Sequence, residues 1–195
     1  MSRPPPVAVP GRHAEAQRAF RLARRHFVAG ERLDMGLLAA ELGVDRSTVF
    51  RWLGNRDQLL AAILISLTDP AVQDAEAKAG GDGGRRIALT AYHYAQALID
   101  STFFRAYLKR ESERALRLLT STASPVQSHV VGIFERMAER ERDRGALTHA
   151  LGSHDLAYLV VRIIESFVYA DIITGDPPDA TKVRAAVAAL LHADA

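Results

Sequence analysis

Between Asp45 and Gly54 the chain reads Arg46-Ser47-Thr48-Val49-Phe50-Arg51-Trp52-Leu53, residue types suited to meeting a nucleic acid. On helical spacing Val49 and Leu53 form an i,i+4 apolar pair, which leaves Ser47, Thr48, Phe50 and Arg51 on the outward arc. Arg46 falls at the helix mouth, beside Asp45 as a candidate N-cap. An arginine can grip guanine bidentately, Ser and Thr can serve phosphates or base edges, and an aromatic ring can pack on a thymine methyl. The bland alternative is a plain helical hairpin with Phe50 and Trp52 in its core. The helical period disagrees with a buried Phe50.

Such a helix needs neighbours that hold it outward. Asp34 is a good N-cap for a short preceding helix, on which Leu38 and Leu42 form the matching apolar pair before Gly43 ends it. Two short helices that cross through such pairs, over a turn containing Gly, define a helix-turn-helix. Gly43 can take the left-handed conformation the turn needs, and Ala39 and Ala40 let the helices approach closely. A first helix, roughly His13 to Ala29, puts Ala16, Phe20, Ala23 and Phe27 on one face, and Gly30 ends it. The fourth starts near Arg56 and is expected to reach Leu67, where Asp69-Pro70 interrupts it. Gly80-Gly81-Asp82-Gly83-Gly84 lacks the Gly-Lys-Ser/Thr ending of a phosphate loop and reads as a flexible connector. Beyond it the pattern predicts helices near 85–100, 102–120, 124–145, 154–174 and 178–192, with no convincing strand alternation. The fold class is therefore all-α, a three-helix head followed by a larger helical body.

The bulk composition sets bounds on function. A chain of 195 residues, 48% hydrophobic, can bury a sizeable core. Cysteine is absent, which removes disulfides and thiolate metal sites and suits a reducing cytoplasm. The N-terminus is a proline-rich arm without the apolar core of a signal peptide. Arg162, Glu165 and Asp171 interrupt the best candidate for a membrane span, so no membrane partner is expected. The net charge of +2 is uneven: residues 1–60 hold ten Arg against six acids, and the remainder is slightly acidic. Charge alone does not separate chance from a basic head that meets phosphate. The helix-turn-helix pattern does.

In the body, residues 154–174 are apolar on nearly every side, which predicts a helix buried all round. The last helix carries Val183, Val187, Leu190 and Leu191 beside Ala185, Ala186, Ala188 and Ala189, small residues that permit close helix approach. These two helices are the expected four-helix interface of a homodimer. Tyr158, Arg162, Glu165 and Tyr169 form a polar stripe on the apolar cylinder. Ionised groups are costly to bury alone, so Arg162 and Glu165 read either as a structural pair or as the polar anchor of a ligand pocket. Phe103, Phe104, Tyr107, Phe134 and Met137 are candidates for that pocket's apolar walls.

The run from Leu38-Ala39 through Gly43-Val44, then Ser47 to Leu53, Asn55-Arg56-Asp57 and Leu59-Leu60 resembles the DNA-binding head of the TetR family of bacterial regulators. The resemblance covers residues 13–65 and implies a homodimer with two heads on a palindromic double-stranded DNA operator, usually a repressor released by a small-molecule effector. It places Arg46, Ser47 and Phe50 where the family reads bases, and Thr48, Arg51, Trp52 and Arg56 where it holds phosphates. The chain departs from the pattern at Phe50, usually Tyr, and at Asp34, often Thr. Met35, Gly36 and Leu37 offer DNA little, which shifts the expected load to the third helix, Arg56, and the arm with Arg3 and Arg12. The implied division is an arm over 1–12, a helix-turn-helix domain over 13–58 and a ligand-binding and dimerisation domain over 59–195. The segments LAYLVVRIIESFVYADIITGDPPD and ERALRLLTS are similar to a narrower QsdR-type subgroup, which implies an acylated lactone or similar amphiphile whose carbonyl meets Arg162 or Tyr169.

Two other classes compete with this reading. An enzyme has no support: there is no Gly-x-Ser-x-Gly elbow, Cys nucleophile or HExxH, and His149 and His154 have a poor metal spacing, so no cofactor or metal is expected. A helical small-molecule-binding protein that no longer recognises an operator draws only on the departures at Gly36 and Phe50. The retained Arg46, Arg51 and Arg56 argue against it, because phosphate contacts dominate affinity for DNA.

Overall fold

The computed structural model describes residues 14–193; Arg3, Arg12 and the rest of the proline-rich arm lie outside them. Among the described residues there are eleven helices and no strand, as the helical spacing predicts. They are α1 (Ala14–Val28), α2 (Met35–Leu42), α3 (Arg46–Leu53), α4 (Arg56–Lys78), α5 (Gly83–Asp100), α6 (Thr102–Arg110), α7 (Ser112–Thr120), α8 (Val126–Asp143), α9 (Ser153–Val168), α10 (Ala170–Ile173) and α11 (Ala180–Leu190). None of these is long and apolar enough to cross a membrane.

The chain forms two compact units. One combines the residues up to Leu67 with residues 102–126, and the other combines residues 68–101 with those from Gln127 onward. In the first, α1, α2 and α3 pack together through Ala19, Ala23, Phe27, Leu38, Val49 and Leu53, all buried. Helices α6 and α7 belong to this unit, although they follow the first half of the body in sequence, and Phe27 stacks edge-on against Tyr107 at 5.3 Å. In the second unit α5, α9 and α11 pack on one another through Ile87, Ala91, Val161, Ile164, Val183 and Val187.

Four local expectations are revised. Helix α4 does not stop before Asp69-Pro70 but runs through it to Lys78. A mid-helix proline costs ~3 kcal/mol. Burying Val72, Ala75 and Ala79 beyond it offsets this, since one Val contributes about 1.5–3 kcal/mol. The glycine run is not a free connector. Gly83 is buried at φ 53°, its N–H donates to the buried Glu141 Oε2 at 2.8 Å, and a Cβ there would lie 2.1 Å from the Ala146 carbonyl oxygen. The helix expected over 102–120 breaks at Glu111, and that over 154–174 at Tyr169, where the backbone leaves helical geometry. In the single chain Tyr158 and Leu159 of α9 are exposed, as is Ile173 in α10.

Candidate nucleic-acid interface

The outward face of α3 is built by what precedes it. Asp34 caps α2, its Oδ1 accepting from Gly36 N at 2.7 Å and Leu37 N at 3.0 Å. At the other end Gly43 adopts φ 69°, ψ 31°, donates to Ala40 O at 3.1 Å, and lets Val44 N reach Ala39 O at 3.1 Å. This left-handed cap turns the chain sharply into α3. Asp45 stands at the N-cap position of α3, though its side chain makes no capping bond. Val49 and Leu53 are buried, and Arg46, Ser47, Phe50 and Arg51 are exposed on the opposite side, as the spacing predicts. Phe50 leaves 58% of its surface open, a large apolar ring held out by the fold. Thr48 and Trp52 are half-buried, Thr48 beside a shallow depression over the turn at Gly43 to Asp45.

A groove runs along this face between the segment 32–36 and Arg46, Phe50, Asn55 and Arg56. Its charges are mixed. The N–H groups of Leu37 and Gly36 hold the Asp34 carboxyl below its usual range, with Arg46 and Arg32 adding to the effect. Asp34 is therefore an anion on the surface that would face phosphates. Asp34→Asn keeps the cap and removes the charge. We expect the variant to bind DNA several-fold tighter at low salt, a gain that fades as salt screens it. Unchanged binding across a salt titration would show that α2 lies away from the DNA.

Arg56 stands at the start of α4, but its guanidinium is engaged inside the protein. Nε donates to Leu33 O at 2.6 Å, and Nη1 and Nη2 donate to the two carboxylate oxygens of Glu111, each at 2.6 Å. Three more arginines of the α6–α7 segment reach the same region. Arg114 and Arg117 meet Asp57 at 2.7 and 2.6 Å, and Arg110 donates to Gly30 O at 2.9 Å and Glu31 O at 3.2 Å. Sequence reasoning missed Glu111, Arg110, Arg114 and Arg117, whose partners lie 55 to 80 residues away, beyond any local period. His26 adds a tie of its own, to Glu31 and, at 2.8 Å, to Glu41, and the Glu31 hydrogen bond first and Glu41 next raise its pKa.

The candidate effector residues divide between the units. Phe103, Phe104 and Tyr107 belong to the first, where Phe27 packs on Phe103 and Tyr107. The Tyr107 hydroxyl is buried with no hydrogen-bond partner among the described residues. Phe134, Met137, Glu165 and Tyr169 are buried in the second unit, and Arg162, 44% exposed, pairs with Glu165 Oε2 at 2.6 Å. Burial pushes the Glu165 carboxyl up to about 7, against the pull of Arg162 and a hydrogen bond with Gln127.

That shift has a sign. The unfolded carboxyl ionises near 4.5 and the folded one near 7, so between them the folded state binds the extra proton. This group's contribution is best at acid pH and is lost as pH rises through 7; at 1.36 kcal/mol per unit the full swing is about 3 kcal/mol. Glu165→Gln should flatten the fall in melting temperature between about pH 5 and pH 8. A parallel fall in the variant would assign it to other groups.

Helix-turn-helix and helical body together define a class, the DNA-binding transcriptional regulators with an all-α body. The family model described as tetracyclin repressor-like, C-terminal domain, matches residues 82–192. The transcriptional repressor QsdR from R. erythropolis, of the TetR family, is 31% identical over 93% of this chain and 96% of that one, with a TM-score of 0.84. The chain belongs to the TetR family. Two more distant structures share the fold. The fatty acid degradation regulator FadR from Bacillus halodurans is 12% identical over 93% and 96% of the two chains, with a TM-score of 0.58. A TetR-family regulator from Rhodococcus sp. is 14% identical over 92% and 100%, with a TM-score of 0.56. No curated protein matches the chain.

Proposed function

We propose that this regulator is a cytoplasmic homodimeric repressor that leaves a palindromic operator when a small amphiphilic effector binds. The observation that carries the DNA reading is the outward face of α3, with Arg46, Ser47, Phe50 and Arg51 exposed over the buried Val49 and Leu53. Arg46, Ser47 and Phe50 read bases; Thr48, Arg51 and Trp52 hold phosphates. Repression is supported by the 31% identity to a transcriptional repressor. Dimerisation through α9 and α11 is supported by the exposed Tyr158 and Leu159 of α9 and Ile173 of the adjoining α10, apolar surface a second copy would cover. In the second unit Phe134 and Met137 would wall the effector site, and Arg162, Glu165 and Tyr169 would meet the polar end of an acylated lactone or similar molecule. Phe103, Phe104 and Tyr107 are read instead as core of the head unit. In one state the two heads stand about 34–36 Å apart, one DNA turn. The effector favours another spacing only by its differential affinity for the two states.

The test is fluorescence anisotropy on DNA from upstream of the protein's own gene, in a salt series, followed by titration with acylated lactones. Operator-selective binding that weakens steeply with salt and is released by a lactone is the expected result. Binding no tighter than to random DNA would move the chain to the class of helical small-molecule-binding proteins.

A further inference from the structure

The family resemblance assigns Arg56 to a DNA phosphate, but its surroundings already satisfy it. The planar fork of the guanidinium is matched by both oxygens of Glu111 at 2.6 Å, and its Nε is spent on Leu33 O at 2.6 Å. The two side chains are only 18% and 11% exposed. Fork-on-carboxylate pairs of this kind are the strongest and most directional ion pairs available to a protein. Their mutual effect is visible in both groups: Arg56 holds Glu111 below the usual carboxylate range, and Glu111 raises Arg56. A phosphate could take the guanidinium only by breaking this pair and leaving a half-buried carboxylate beside a DNA anion.

What the pair joins is informative. Leu33 is buried and immediately precedes Asp34, the cap of α2; Arg56 is the first residue of α4; Glu111 is the break between α6 and α7. One guanidinium therefore fixes the start of the first helix of the reading motif, the helix that follows it, and a segment more than 50 residues later. Arg110, bound to the carbonyls of Gly30 and Glu31, holds the same α1–α2 loop from the same junction. We infer that Arg56 is a positioning residue, and that the Arg56–Glu111 pair sets the angle at which α2 and α3 are presented to DNA. The inference rests on the proposed DNA-binding function and assigns Glu111, remote in sequence from the helix-turn-helix, a direct influence on operator affinity.

The two roles for Arg56 predict opposite signs. Glu111→Gln removes a negative charge from each head. If Arg56 were a phosphate ligand held back by Glu111, operator binding would tighten; if the pair positions the motif, it weakens. Arg56→Lys keeps the charge, and a lysine still serves a phosphate, but it cannot span Leu33 and Glu111 together. We expect each variant to bind the operator about tenfold more weakly, the scale of one misplaced base-reading side chain. The slope of log affinity against log salt should stay at the wild-type value, and the swapped pair Arg56→Glu with Glu111→Arg should recover affinity.

Stoichiometric titration gives the active fraction separately from Kd, so a variant that merely unfolds lowers the fraction and leaves the Kd of the remainder unchanged. That pattern counts against positioning. Equal or tighter binding by Glu111→Gln also overturns the inference, as does wild-type affinity in Arg56→Lys. So does a fall in salt slope of about 0.9 per head in Arg56→Ala, the signature of a cation that had neutralised a phosphate. Arg51→Ala separates the two levels. If wild type shows no operator preference and Arg51→Ala changes nothing, the DNA-binding reading and this inference fail together. If Arg51→Ala collapses binding and the Glu111 and Arg56 variants do not, only the inference fails.

Discussion

Arg51→Ala should lose roughly 10²- to 10⁴-fold in affinity for DNA while keeping its fold. A charge-assisted hydrogen bond contributes about 1.5–3 kcal/mol, and the proposed homodimer, with two heads, would lose it twice, which is about 3–6 kcal/mol. The site favours a clean measurement. Arg51 is exposed in the last turn of α3 and forms no side-chain bond to another described residue, so its removal leaves no orphaned partner. Surface changes of that kind shift stability by only about ±0.5 kcal/mol. In its proposed role as a phosphate contact it should, when removed, weaken operator and random DNA binding alike and lower the salt slope by about 0.9 per head. Arg46→Ala, at a proposed base-reading position, should instead narrow the gap between operator and random DNA. Anisotropy with both DNAs decides the matter, and an unchanged Arg51→Ala variant would remove α3 from the interface.

The largest effect on stability is expected at Gly83. Its φ of 53° lies in the left-handed region, which costs a side-chain-bearing residue about 1–2 kcal/mol. The added Cβ would stand 2.1 Å from the Ala146 carbonyl oxygen, too close for any rotamer to relieve. Neither backbone can retreat freely. Gly83 N is tied to Glu141 Oε2 at 2.8 Å, and Ala146 N to Glu141 O at 2.9 Å. A shift would break a bond to a buried carboxylate, a further ~1.5–3 kcal/mol. Gly83→Ala should thus cost about 3–5 kcal/mol and lower the melting temperature by about 10 °C for a chain of this size. Gly80→Ala is the control: a Cβ there meets nothing within 4 Å, so the variant should melt with wild type or slightly above it. Equal melting of the two variants would return the glycine run to the role of a loose connector.

The contrast between these glycines shows where sequence reasoning stops. The helix-turn-helix is legible because every constraint on it is local. Leu38 with Leu42 and Val49 with Leu53 repeat at the helical period, Asp34 bonds to amides two and three residues on, and Gly43 turns the chain in place. The outward side of α3 follows from the same arithmetic. So does the Arg162–Glu165 ion pair, three residues apart on one helix.

What the sequence could not decide involves partners far away along the chain. Pro70 reads as a helix breaker until the burial of Val72 and Ala75 outweighs it. Gly83 reads as slack until Glu141 and Ala146, about 60 residues on, press against it. Arg56 falls by resemblance at a phosphate contact, with no local sign that Glu111 holds its guanidinium, and nothing in the spacing brings Tyr107 onto Phe27. Short-range periodicity and capping thus determined most of the helices, the all-α class and the outward face of α3 from the sequence itself. Tertiary structure alone decided which charges are already satisfied, because a pairing between distant residues leaves no spacing signal and exists only once packing brings them within about 3 Å.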